Sequence, residues 1–271
     1  MAGVDRYFLG GNDLEMEEIR ALLREAGRGD RIVDRGLSWG ARASAYVDEI
    51  RDALTRGETP VLVELIDDLP ADIDRARLVE IDHHGDRAGA DQPAAIEQVF
   101  QRLGLPPSAW TRRRALVAAN DVGHVPALRR VGATAAEIRD IRDADRRAQG
   151  VSEAVEAESR RALAAAEQVG PLLVVRTTAP TSSAIADFVL PEYGGSGADD
   201  LLVVMPDTVS FYGRGAVIAD LKEVPGSWWG GALPERGYWG VTVSGEAADA
   251  VVARVSRLLE RDPIQLDRTP L

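Results

Sequence analysis

The chain has 271 residues, 45% of them hydrophobic, and a formal charge of −12 at pH 7; this is enough apolar material for one large or two modest domains and too little positive charge for broad wrapping of duplex DNA. It contains no cysteine, which excludes disulfides, thiolate zinc sites and cysteine nucleophiles. No run of about 18 uncharged apolar residues occurs, and charge stands where a secretory signal needs an apolar core, so a cytoplasmic enzyme or binding protein with no membrane span is expected.

Arg6 to Leu9 predicts a first strand, followed by a Gly-Gly-Asn-Asp turn and a helix from about Leu14 to Ala26, with Leu14, Ile19, Leu22 and Leu23 on one face. A short strand at Arg31 to Asp34 precedes a helix over about Ala41 to Thr55, with Tyr46, Ile50 and Leu54 aligned. Thr59 to Ile66 reads as a near-continuous apolar strand and Ala76 to Ile81 as another, a pattern of buried parallel strands alternating with helices. Helices are predicted over Gln92 to Leu103 and Thr111 to Asn120.

From about Thr134 to Val169 the sequence turns helical and charged, and Gly170-Pro171 stops it. Strands are predicted at Pro171 to Ala179 and Asp199 to Pro206, one or two more over Thr208 to Leu221, and another at Tyr238 to Gly245. An amphipathic helix over Ala247 to Leu259 and a loop tail close the chain. The fold class is therefore α/β in two lobes: residues 1–145 with a mostly parallel sheet and flanking helices, a connecting helix over 146–170, and a smaller α/β domain over 171–271.

Ile81-Asp82-His83-His84-Gly85 puts two of the chain's three histidines behind an apolar strand that Gly85 ends with a turn. Strand carboxyl ends are where open α/β sheets gather ligands, and imidazole with carboxylate suits divalent transition ions such as Mn²⁺. Other strand ends or loops supply Asp13 and Glu15, then Glu64, Asp67 and Asp68, then Asp121 and His124.

Four blocks in this order, GGNDLEM, VLVELID, IDHHG and AANDVGH, resemble the motifs of the DHH phosphoesterase superfamily. That group includes pyrophosphatases, exopolyphosphatases, single-strand exonucleases, short-oligonucleotide ribonucleases and cyclic-dinucleotide phosphodiesterases. The second lobe, with VSFYGRGAVIADL and then WWGGALPERGYWG, is similar to the DHHA1 domain of the same family. The resemblance implies one or two divalent ions, Mn²⁺ foremost, on Asp13, Glu15, Glu64, His83 and Asp121. It also implies His84 facing the bridging water or substrate phosphate, and Asp82 orienting the histidines. Arg214 would contact a phosphate, with Gly230, Gly231 and Gly240 letting backbone N–H groups approach it.

Where the family usually has a histidine four residues before its first aspartate this chain has Leu9; Glu replaces Asp at 15 and 64, and Ala232 stands in the place of a histidine often found after the glycines. The implied reaction is hydrolysis of a phosphodiester or phosphoanhydride in the cleft between the lobes. Its substrate would be a small phosphate-containing molecule or short single-stranded nucleic acid. A nucleotide-binding or scaffolding protein with impaired catalysis is the alternative, and a homodimer is compatible with either.

Structural roles stand beside these. Asp13 and Asp121 suit helix caps, Glu15 suits a first helical turn, and His124 suits a hydrogen-bonded loop. Arg214 suits an ion pair, and Trp228, Trp229, Tyr238 and Trp239 suit either base stacking or packing. Arg112 to Arg114 reads as a solvated face, and Tyr193 to Asp200 as a loop, with no Lys-Ser/Thr to make a P-loop.

Overall fold

The computed structural model describes residues 4–84 and 92–261, and within it the chain divides between Gly150 and Val151 into two units. The turn expected at Gly85 and the last ten residues of the tail lie outside the described residues.

The first unit runs β1 (Asp5–Leu9), α1 (Leu14–Glu25), β2 (Ile32–Val33), α2 (Val47–Thr55), β3 (Thr59–Val63), β4 (Val79–Ile81), α3 (Ala95–Arg102), α4 (Arg112–Arg130) and α5 (Ala135–Ala148). Its strands form one parallel sheet in the order β2-β1-β3-β4. Alternation along each strand sends side chains to two cores. Tyr7, Leu9, Val61 and Val63 pack with Met16, Ile19 and Val99 on one face, while Phe8 and Leu62 pack with Tyr46 and Ile50 on the other. The strand order changes direction between β1 and β3, and the crevice beyond their carboxyl ends is where such sheets bind ligands.

Two departures from the predicted elements bear on that crevice. The helix expected to end at Asn120 continues to Arg130 across a kink, with Gly123 at φ −163°, ψ 27° and His124 at φ 48°, ψ −144°. Pro126 explains the break, because it has no N–H to donate and its ring crowds the preceding turn. The helix expected from Ala41 begins as a 3-10 turn over Ala43–Tyr46 and becomes α-helical only at Val47.

In the second unit the order is α6 (Glu153–Ala164), β5 (Glu167–Val169), β6 (Leu172–Arg176), α7 (Ser183–Phe188), β7 (Asp200–Val204), β8 (Thr208–Arg214), α8 (Gly215–Leu221), β9 (Trp228–Gly230), β10 (Arg236–Thr242) and α9 (Glu246–Arg261). The six-stranded sheet is mixed, in the order β5-β6-β7-β8-β10-β9, with β6 and β7 parallel. Trp239 is buried in its core, where Nε1 donates to Leu221 O at 2.9 Å.

Residues 146–170 are not one connecting helix. They hold the end of α5, all of α6 and β5, because Gly150 takes a left-handed turn (φ 82°) and Ser152 caps a new helix by accepting from Val155 N at 3.3 Å. The stretch Thr208 to Leu221 is one strand and one helix, changing over at Gly215. A Cβ there would stand 1.8 Å from Pro234 O, so only glycine lets the chain turn at that point. Among the described residues no helix is long and apolar enough to cross a membrane.

Candidate metal centre

Four chain segments meet at the carboxyl edge of the first unit's sheet. Gly10 follows β1 so closely against the end of β3 that a Cβ on it would lie 2.6 Å from Glu64 O. That approach brings the start of α1 to Glu64. Asp13 caps α1, its Oδ1 accepting from Met16 N at 2.8 Å. Glu15, two residues on, is 1% exposed, and its Oε1 accepts from Ile96 N at 2.9 Å in the first turn of α3, where the helix's positive end favours a carboxylate.

Glu64 ends β3 in the left-handed region at φ 52°. For a non-glycine residue that conformation costs about 1–3 kcal/mol and clusters at functional sites. It turns the carboxylate toward His83: Glu64 Oε1 lies 2.9 Å from His83 Nε2, and Asp121 Oδ2, from the middle of α4, lies 2.5 Å from the same nitrogen. One Nε2–H cannot point at both oxygens. Among the described residues, neither oxygen, nor Nε2, nor Glu15 Oε2 has an aligned hydrogen-bond partner, and these are four of only eight such buried side-chain atoms.

Glu15, Glu64, His83 and Asp121 each offer an atom within 4.8 Å of the others, and Glu64, His83 and His84 form a second such group. One imidazole nitrogen and three carboxylate oxygens, buried and unsatisfied, fit a divalent cation that accepts mixed N and O ligands. Asp13 stands beside this group rather than in it.

Burial and the charges of neighbouring groups shift the titration of this cluster. Burial, opposed by the bond from Met16 N, pushes Asp13 up to about 7, with Asp121, Glu64 and Asp145 adding to the rise. Burial and the charges of Asp121 and Glu64 hold Glu15 well above the usual carboxylate range. For His83 burial lowers the pKa, but Asp121 and Glu64 outweigh it and bring it up to about 10.

His84 is half exposed. Its Nδ1 donates to Asp82 Oδ1 at 2.7 Å and its backbone N–H to the same oxygen at 2.9 Å. That carboxylate raises the imidazole's pKa. Gln98 fixes the segment from behind, donating to Asp82 O at 2.9 Å and Pro93 O at 2.8 Å.

Sequence reasoning passed over Gln98 and a buried network beneath Asp121. Arg142 Nη1 donates to Asp145 Oδ2 at 2.7 Å and Asn120 Oδ1 at 3.0 Å and stands 3.3 Å from His124 Nδ1. The signal was present: Arg142 and Asp145 share the helical face of Ile138 and Ile141, where a charge must find a partner. Asp67 and Asp68 point elsewhere, paired with Arg75 at 2.8 Å and Arg42 at 3.5 Å. Leu9 is fully buried in the core.

The second unit treats its expected phosphate contacts differently. Arg214 gives Nε at 3.0 Å and Nη2 at 2.9 Å to Asp200 Oδ2, whose side chain is 3% exposed. The guanidinium edge assigned to phosphate is thus bonded within the protein. A Cβ on Gly230 would meet the ring of Tyr238, and one on Gly240 the ring of Trp228, each its cross-strand partner. Both glycines are accounted for by aromatic cover across β9 and β10. Gly231 takes φ 100° beside Gly237.

Glu15→Gln tests the electrostatic reading. The amide keeps the acceptor for Ile96 N but needs no proton. Because the folded carboxyl holds its proton above its ordinary range, wild-type stability falls as pH rises past about 4.5. Metal-free Glu15→Gln should therefore melt higher than wild type at pH 7 and equally at pH 4. A lower melting temperature at pH 7 would sink the assignment.

No family model matches the sequence, and no curated protein matches it. Among solved structures, RecJ from Thermus thermophilus in complex with Mn²⁺ matches with a TM-score of 0.53 at 15% identity, over 96% of this chain and 53% of RecJ. Its complex with Mg²⁺ matches at 0.51 and 14%, over 96% and 50%. The pGpG-specific phosphodiesterase PggH from Vibrio cholerae matches at 0.42 and 12%, over 96% and 99%. The chain spans about half the length of the RecJ chain it matches.

Proposed function

We propose, from the DHH-superfamily fold that this chain has, that it is a divalent-metal-dependent phosphohydrolase acting on phosphodiester or phosphoanhydride bonds of a small nucleotide or short single-stranded oligonucleotide. The observation that carries this is the convergence of four buried, unsatisfied polar atoms of Glu15, Glu64, His83 and Asp121 at the switch point of the sheet. RecJ, which shares the fold, was crystallised with Mn²⁺ and with Mg²⁺, and the imidazole in the cluster favours Mn²⁺ of the two. A cytoplasmic setting belongs to the same reading.

Glu15, Glu64, His83 and Asp121 would hold the ion, with Asp13 adding negative charge at their edge. Bound there, the ion supplies Lewis-acid polarisation of a phosphoryl oxygen and activation of water. The protein's own groups do the rest. His84, held by Asp82 through Nδ1, presents its other ring nitrogen to a leaving oxygen and can deliver a proton to it. Asp82 maintains the charged imidazole, and Gln98 keeps Asp82 in place. The buried Arg142 opposes the carboxylates from below through Asp145 and Asn120.

The test is purified protein with Mn²⁺, Mg²⁺ or chelator against short oligonucleotides, cyclic dinucleotides, pyrophosphate and polyphosphate. Release from a nucleotide substrate that needs the metal is the expected result, and no release from any of them defeats the hydrolase assignment. A catalytically silent nucleotide-binding protein is the second reading, favoured by Leu9 in place of a ligand and by the commitment of Arg214 to Asp200. It predicts metal and nucleotide binding with no turnover.

A further inference from the structure

Trp39 is 86% exposed, the most exposed large hydrophobic side chain among the described residues. Exposing an indole so fully forgoes the stabilisation its burial would bring, and the loop that carries it is far from slack. At one end Asn12 N donates to Leu37 O at 2.7 Å, and Gly11 bridges Leu37 in parallel. Gly11 packs so closely that a Cβ on it would stand 3.3 Å from Trp39 Cα. At the other end Ile66 N donates to Ala41 O at 2.9 Å and Ala43 N to Ile66 O at 3.0 Å. Left-handed glycines at Gly36 (φ 59°) and Gly40 (φ 78°) bracket the tryptophan.

Both anchors belong to segments that bear the candidate ligands: Gly11 and Asn12 lead into Asp13 and Glu15, and Ile66 follows Glu64. The loop is therefore tied by its backbone, at both ends, to the segments that bear those ligands. A shallow depression of about 390 Å³ lies along it, with Trp39, Arg42 and the hydroxyl-bearing Ser38 and Ser44 in its lining. A flat aromatic face on a loop tied to the segments that bear the candidate metal ligands suits a ligand with a flat aromatic part joined to a phosphate.

We infer that Trp39 is the base-stacking residue of this site, so that its ligand is a nucleotide and not a base-free phosphate compound. The inference rests on the proposed metal-dependent phosphohydrolase and adds to it the group that recognises the substrate. Stacking tolerates any base, so it selects nucleotides without choosing a sequence.

The test compares binding of AMP and ribose 5-phosphate to the Mn²⁺-loaded chain by calorimetry, in wild type, Trp39→Ala and Trp39→Phe. The wild type should bind AMP about tenfold or more tightly than ribose 5-phosphate. Trp39→Ala should bind the two alike, and Trp39→Phe should keep most of the preference. Equal AMP affinity in wild type and Trp39→Ala overturns the inference alone, provided Mn²⁺ still raises the melting temperature. Absence of that Mn²⁺ effect, and of any phosphate binding, overturns the metal-centre reading and this inference with it. Sedimentation of the same proteins covers the other occupant: a dimer that Trp39→Ala makes monomeric, with AMP affinity unchanged, would assign the indole to a second copy of the chain and overturn the inference.

Discussion

His83→Ala should gain no thermal stabilisation from Mn²⁺ at a concentration that raises the melting temperature of the wild type by about 5–10 °C. The wild-type figure follows from mass action. Ion at about 100 times its dissociation constant stabilises the folded state by about 2.7 kcal/mol, and a chain of this size shifts by about 2–4 °C per kcal/mol. His83 Nε2 is the one nitrogen among the four converging atoms, with carboxylate oxygens 2.9 and 2.5 Å away. Even groups one step removed from a metal cost about 10–100-fold in affinity when lost, so removing this one should cost at least about 100-fold. Turnover on whichever nucleotide the wild type cleaves should fall with it. The measurement is a melting curve with Mn²⁺ titrated over three decades. An unchanged midpoint shift in His83→Ala would remove the imidazole from the centre.

The affinity for Mn²⁺ should also rise steeply with pH, on the order of 100-fold or more from pH 6 to pH 8, with proton release on binding. His83 stays protonated up to about 10 in the metal-free cluster, so an ion using Nε2 must expel at least one proton throughout that range. Protons on Glu15 and Asp13 add to the count. The signs for metal-free stability follow from the same shifts. His83, raised above its ordinary value, contributes stability that is complete below about 6.5 and disappears as pH climbs through 10. Asp13, raised from 3.8 to about 7, contributes stability that is complete below 3.8 and gone above about 7. Both make the metal-free chain weaken as pH rises, while Mn²⁺ binding strengthens, so the gap between the two melting curves should widen with pH. Calorimetry in buffers of different ionisation enthalpy counts the protons, and a flat pH dependence would contradict the placement of the ion on His83.

The strands and the residues at their ends were legible because each rests on short-range pattern. Phe8, Leu62 and their neighbours stand in apolar runs, and such strands put Asp13, Glu64 and His83 at one edge once they lie parallel. What the sequence does not carry is pairing across distance. Arg214 faces Asp200 only because β7 and β8 run antiparallel in one register. The need for glycine at 230 and 240 arises from rings on the opposite strand. The left-handed turn at Glu64 is likewise invisible to helix and strand patterns, since glutamate does not favour positive φ, whereas the kink at His124 has its signal in Pro126.

The four converging side chains come from the start of α1, the end of β3, the loop after β4 and the middle of α4. In a chain without a single cysteine, an ion gripping them would act as a removable cross-link, tying Glu15 to Asp121 around a loop on the order of 100 residues, the span over which a covalent bridge constrains an unfolded chain strongly. Chelation would then loosen the whole first unit, sheet edge and α4 together, and proteases would report it as faster cleavage far from the ligands themselves.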